Sequence, residues 1–274
     1  MARYYNRTAI DWCDFTFNPF TGCWGPGGSP KHPRHCPYCY AKRIAERFPS
    51  FPYDFEPTVY LDRFKATPPK EPSRIFVGSM GDVCGDWYWD EPDYDDASPD
   101  DVQYALWRYI ERYPQHQWIL LTKNPGGLKR PVVQTSYDFV GRDVPGAANT
   151  CYYGDLPKNL IWGISLTGDD PVSVERLRVY REMLHPSEPA FLSYEPAKGP
   201  LPELWPVEPG KGWLVIGAQT GPGAAPVDMH DVFCAVEDAH RRGWLVWVKD
   251  NAIRQGEPTW DNEWPREQIP MPNP

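Results

Sequence analysis

The chain has 274 residues, 41% of them hydrophobic, with 33 prolines and 13 tryptophans. That length suits one large α/β domain with a substantial core, and the aromatic content excludes a disordered chain. Lys and Arg number 28 against 37 Asp and Glu, and the net charge of −9 argues against non-specific binding to a phosphate backbone.

No apolar run approaches the roughly 20 residues of a membrane span. Met1-Ala2-Arg3-Tyr4-Tyr5-Asn6-Arg7 lacks the apolar stretch of a signal peptide, so the expected location is cytoplasmic. Seven cysteines in a reducing compartment point to metal or catalysis, and their odd number speaks against complete pairing.

In chain order, a first strand is expected near residues 14–18, followed by a helix over about 40–48. Apolar runs recur at 74–78, 117–121, 160–165, 190–193, 213–217 and 245–248. Helical spacing lies between them, at 100–113, from Pro171 to Leu184, and at 231–242. Runs apolar at consecutive positions suit strands covered on both faces, and alternation with helices makes such strands parallel. The expected fold is therefore α/β, a single domain over residues 1–274. It would be a full or partial (β/α) barrel of about six parallel strands, with its active site at the C-terminal strand ends.

Polar residues follow each run: Ser79-Met80-Gly81-Asp82, Thr122-Lys123-Asn124, Ser165-Leu166-Thr167, Ser193-Tyr194-Glu195-Pro196, Gln219-Thr220-Gly221 and Lys249-Asp250-Asn251. An acidic insertion at about 82–101 hangs after the second strand. Nine Asp and Glu and no Lys or Arg lie between Ile75 and Trp107. It reads either as a lid favouring cations or as a solvated loop. Trp87-Tyr88-Trp89 inside it reads as loop bracing, and Cys84 as inert. Gly221-Pro222-Gly223 lacks the Lys-Ser or Lys-Thr of a triphosphate loop. No Gly-x-Ser-x-Gly or His-Glu-x-x-His pattern supports a serine hydrolase or a metalloprotease.

The cysteines carry the chemistry. Cys23 follows the first expected strand, and Cys36-Pro37-Tyr38-Cys39 comes after a loop rich in Gly and Pro, the whole forming a cluster loop at 22–40. Two thiolates separated by two residues can reach one metal centre, and a third completes a cluster site. Three thiolates on a four-iron cluster leave one iron open to substrate or cofactor. The alternative is a zinc-stabilised binding or accessory protein without turnover, completed by His32, His35, Cys13 or Cys84. Cys13, Cys151 and Cys234 otherwise read as isolated or core thiols.

This pattern resembles the radical S-adenosylmethionine superfamily, whose three cluster cysteines follow the first strand of a (β/α) barrel, with an aromatic residue before the last. Tyr38 matches that aromatic. Over most of its length the chain also resembles an uncharacterised phage-encoded family of this type. The matching segments are Phe17–Cys23, Cys36–Ala41, Val77–Asp82, Leu121–Lys123, Ser193–Pro196 and Gly217–Gly221. The departure is the first gap, twelve residues where three are usual.

The resemblance implies a [4Fe-4S] cluster on Cys23, Cys36 and Cys39, and S-adenosyl-L-methionine as cofactor. It implies reductive cleavage to a 5′-deoxyadenosyl radical that takes hydrogen from an unknown substrate, with nucleotide or nucleic-acid modification one candidate. The electron donor would be a flavodoxin or ferredoxin. By strand order, Ser79, Met80, Gly81 and Asp82 would meet the methionine amino group. Ser165 and Thr167 would meet the ribose or carboxylate, and Lys123 an anion. Glu195 and Gln219 would complete the cofactor pocket or face substrate.

Overall fold

A computed structural model describes residues 4–48, 51, 53, 55–87, 99–134, 151–221, 223–254 and 264–271. Eight strands form one sheet: β1 (Tyr5–Arg7), β2 (Phe15–Phe17), β3 (Arg74–Val77), β4 (Gln117–Thr122), β5 (Leu160–Leu166), β6 (Ala190–Tyr194), β7 (Gly212–Ile216) and β8 (Leu245–Val248). Their spatial order is their chain order. Strands β2 to β8 pair in parallel, and β1 pairs antiparallel with β2. The helices are α1 (Tyr40–Ala45), α2 (Pro99–Glu111), α3 (Pro171–Met183), α4 (Met229–Arg241) and α5 (Asp250–Ile253).

The sheet corrects the sequence expectation in two respects. It carries the antiparallel β1 beside its seven parallel strands, and it does not close into a full barrel. With three residues, β1 is too short to show alternation.

Alternation of side chains sorts the strands into two faces. Trp118, Leu120, Trp162, Ile164, Leu192 and Leu214 pack with Leu106 of α2, Leu177 and Tyr180 of α3, and Val232 and Val236 of α4. Phe76, Ile119, Ile161, Phe191, Trp213 and Val215 form a separate cluster on the other face. Both faces being covered is why the strands read as continuous apolar runs.

The sheet is strongly curled. Trp12, just before β2, stands 5.1 Å from Phe76 on β3, 5.9 Å from Phe191 on β6 and 5.8 Å from Trp213 on β7, ring centre to ring centre. Flat, β3 and β7 would lie about 19 Å apart, four strand spacings, beyond the reach of one indole. The two sheet ends are also tied by charge. Arg266 Nη1 lies 3.0 Å from Asp11 Oδ2, and Arg266 pairs with Asp250 beyond β8. Residues 265–267 cover the outer edge of β8: Val248 donates its N–H to the Pro265 carbonyl (3.0 Å), and Glu267 its N–H to that of Val246 (2.9 Å).

Helix starts are set locally. Asp170 accepts from the N–H groups of Val172 (3.0 Å) and Ser173 (3.1 Å), and Pro171 opens α3. Among the described residues no helix is long and apolar enough to cross a membrane.

Candidate functional site

At the C-terminal ends of the parallel strands lies a cavity of about 360 Å³. Trp12, Phe76 and Leu121 form its apolar floor. Its rim gathers Ser79, Gly81 and Asp82 after β3, Lys123 after β4 and Ser165 from β5. Ser193 and Glu195 from the end of β6, Gln219 after β7 and Lys249 after β8 continue it. Cys23, Cys36, Tyr38 and Cys39 form the remaining wall. Two expected site residues lie elsewhere. Met80 is buried beneath α1 with Ala41, Ala45 and Phe55. Thr167 donates its hydroxyl to Asp170 Oδ2 (2.8 Å) and braces the start of α3.

The loop between Cys23 and Cys36 folds back on itself. The Arg34 N–H donates to the Trp24 carbonyl (2.6 Å), Gly28 to Gly25 (2.9 Å), and Ser29 and His32 exchange backbone hydrogen bonds. Residues 25–33 thus form a finger latched at its base. Gly25 is required there: its φ is +83°, and a Cβ would stand 1.9 Å from the Arg34 carbonyl oxygen. At the other end, Gly22 (φ +85°) lets Gly22 N–H reach the Met80 carbonyl (2.8 Å), pinning the cysteine loop against the loop after β3. Cys23 N–H is held by the Phe55 carbonyl (3.1 Å). Arg43 of α1 reaches across to the Thr220 carbonyl (3.2 Å), beyond β7.

The three thiols are half-buried and sense one another. Burial pushes Cys23 well above the usual thiol value, and the charges of Asp82, Cys39 and Cys36 add to it. Burial also raises Cys39, with Lys123 pulling the other way. Two backbone groups already aim at sulfur: Gly25 N–H at Cys23 Sγ (3.1 Å) and Lys42 N–H at Cys39 Sγ (3.4 Å). Such donors stabilise thiolate and tune a cluster bound to it.

The β3 loop is rigidly built. Asn18 Oδ1 accepts from Met80 N–H (3.1 Å), and its amide donates to Ser79 Oγ (3.1 Å). Asp82 is committed to structure. It accepts from Thr122 Oγ1 (2.7 Å), Lys123 N–H (2.9 Å), Asn124 Nδ2 (2.9 Å) and Cys84 N–H (3.1 Å), so it staples the ends of β3 and β4 together. Carbonyls 78–80 each already accept one hydrogen bond, from Gly81 N–H, Tyr40 Oη and Gly22 N–H.

Sequence reasoning placed both Glu195 and Lys249 at strand ends but did not foresee that they pair. Lys249 from β8 pairs with Glu195 beneath Gly217, where a Cβ would stand 2.7 Å from the carboxylate. It also missed Arg176 of α3, which is 8% exposed and donates to the carbonyls of Lys123 (2.9 Å) and Ser165 (2.6 Å). Burial lowers the pKa of this guanidinium, offset in part by Tyr38 and Cys36. Lys123 and Lys198 place their ammonium groups 5.1 and 4.8 Å from the centre of the Tyr38 ring. Apart from the Arg176–Ser165 contact, 11 positions apart, these meetings span 50 or more positions, for which a single sequence carries no signal.

The residues of the zinc alternative are dispersed. His32 is exposed on the finger, Cys13 lies in the floor cluster and Cys84 in the main core, while His35 lines the cavity beside the cysteines. Among the described residues, no three or more His, Cys, Asp and Glu side chains stand close enough to hold a single metal ion. Cys234 is exposed on α4, 3.6 Å from His230 Nε2. Trp87 is buried in the core, and most of the acidic insertion, residues 88–98, lies outside the described residues.

Fold and cavity together define an α/β protein with a three-cysteine wall facing the polar C-terminal ends of a curled parallel sheet. The chain belongs to the family described as "Protein of unknown function (DUF5131)", which matches residues 7–249. No curated protein and no solved structure matches it.

Proposed function

We propose that the chain is a radical S-adenosylmethionine enzyme, with a [4Fe-4S] cluster held by Cys23, Cys36 and Cys39. The observation that carries this reading is the latched finger. With Trp24 and Arg34 hydrogen-bonded, the path from Cys23 to Cys36 runs through Trp24, Arg34 and His35 only. The twelve-residue gap therefore acts as a gap of three, the usual spacing in the resembled superfamily. The curled, open sheet in chain order agrees with a partial (β/α) barrel.

The donor set suits the group. A single zinc ion draws four ligands to about 2.0–2.3 Å, whereas a four-iron cluster takes its thiolates at separate corners. Three thiols lining one cavity, with N–H groups already aimed at two of them, match the second case. Cys23, Cys36 and Cys39 would hold the cluster, which, once reduced by a flavodoxin or ferredoxin, would supply the one electron needed to part S-adenosylmethionine into methionine and a 5′-deoxyadenosyl radical.

The chain's own residues hold and shield. Tyr38 and the β3 loop wall the cofactor side, Ser165 and Gln219 offer hydrogen bonds, and the Glu195–Lys249 pair fixes the far wall. The floor of Trp12, Phe76 and Leu121 keeps water from below.

Anaerobic purification and reconstitution test the reading. The expected result is a brown protein with about four irons per chain that forms 5′-deoxyadenosine from S-adenosylmethionine and dithionite. A colourless protein with stoichiometric zinc and no iron would sink it. An intact cluster that never yields 5′-deoxyadenosine points instead to a binding role.

A further inference from the structure

Tyr38 and Lys123 line one wall of the cavity, in a chain of net charge −9. Lys123 and Lys198 both approach the Tyr38 ring, and Arg176 donates to the Lys123 carbonyl (2.9 Å). Three of the nearby carboxylates are engaged, while Asp169 lies exposed beside Gly199. Asp82 accepts four hydrogen bonds, Asp170 caps α3, and Glu195 pairs with Lys249.

Among the described residues no carboxylate lies within 4.0 Å of either ammonium. Arg176 is more than nine-tenths buried, and two of its nitrogens are spent on the Lys123 and Ser165 carbonyls. Its Nη2 has no hydrogen-bond partner among the described residues. A cation–π contact supplies only about 0.5–2 kcal/mol to each ammonium. A ligand anion would complete the balance.

We propose that Lys123, Lys198 and Arg176 form an oxyanion subsite for a phosphate monoester carried by the substrate, a proposal that rests on reading this cavity as the reaction site. Phosphate suits the cluster better than carboxylate. It brings about −1.5 to −2 charges and three acceptor oxygens at neutral pH, whereas a carboxylate brings one charge and two oxygens. The substrate class is thus a small phosphorylated molecule, such as a nucleotide or sugar phosphate. A long polyanion would meet the unfavourable net charge of the whole chain.

Calorimetric titration of the full-length protein tests this, with adenosine 5′-monophosphate against adenosine and glucose 6-phosphate against glucose. At least one phosphate ester should bind about tenfold more tightly than its neutral parent, the equivalent of one charge-assisted hydrogen bond, with the advantage shrinking as salt rises. The ester that shows it names the source of the phosphate. The double variant Lys123→Gln/Lys198→Gln should lose that advantage, while Lys211→Gln, exposed before β7, should keep it.

Equal binding of esters and parents, or an advantage that survives the double variant, overturns the proposal. So does a double variant that loses affinity for S-adenosylmethionine alone, because the cations would then serve the cofactor carboxylate. Iron content and 5′-deoxyadenosine formation are measured in parallel. Phosphate preference without iron removes only the cluster reading, and iron without phosphate preference removes only this one.

Discussion

At the scale of single residues, the proposed function places the chemistry and its dependence on pH on the cysteines. Replacing Cys23, Cys36 or Cys39 with Ala should each cut iron in the reconstituted protein from about four to below about one per chain, read by iron and sulfide analysis. In the metal-free fold, burial raises Cys23 and Cys39 above the ordinary thiol value of 9.0 and pushes Cys13 up to about 12. Above about pH 9 the unfolded chain has released protons that the folded chain still holds. Stability of the metal-free protein therefore falls as pH rises through that value, and calorimetry should show Tm dropping there, less steeply in Cys23→Ser. Iron loading needs thiolates and releases protons, so its yield should rise with pH over the range where the fold still stands. A loading yield that falls on going from neutral to mildly alkaline buffer contradicts this account.

At the scale of elements, the finger is the part to cut. Excising residues 27–32 and closing the tip with a short turn should leave iron content unchanged, because the Trp24–Arg34 latch and not the tip sets the cysteine register. Loss of iron in that variant would show that the tip, with His32, takes part in binding. Gly22→Ala should act oppositely. A Cβ there meets the Glu56 carbonyl oxygen at 2.0 Å at a φ of +85°, so the cost is about 2–4 kcal/mol and falls on the loop holding Cys23. The elements themselves were largely legible. Strand β8 falls where the run 245–248 placed it, and β3 to β7 and the long helices lie within two residues of their apolar runs, because both strand faces are covered. The short pieces were not. The ribbons pairing Phe20–Thr21 with Thr58–Val59 and Val132–Gln134 with Cys151–Tyr153 have two or three residues a side, too few for a period to register. The cysteines and most rim residues were readable because strand ends face the cavity. Met80 and Thr167 failed that rule, one turning under α1 and the other capping α3.

At the scale of the whole molecule, Trp12 and Asp11 hold the curl that makes the cavity. Trp12→Ala removes a 2% exposed indole packed against three strands and should cost about 3–5 kcal/mol, read by denaturant unfolding. Asp11→Asn weakens a partly exposed pair and should cost about 1 kcal/mol or less. These contacts also set an order of events in the making of the protein. Asp11 meets Asp250 and Arg266 at sequence separations of 239 and 255. Trp12 leaves the ribosome early, and its packing is completed only when Phe191 and Trp213 have followed. Contacts so distant in sequence form late and slowly. A nascent chain can fold its early βα units, but the cysteine wall faces no finished cavity until residues near 266 have emerged. On the proposed reading, cluster capture is thereby deferred to the end of synthesis.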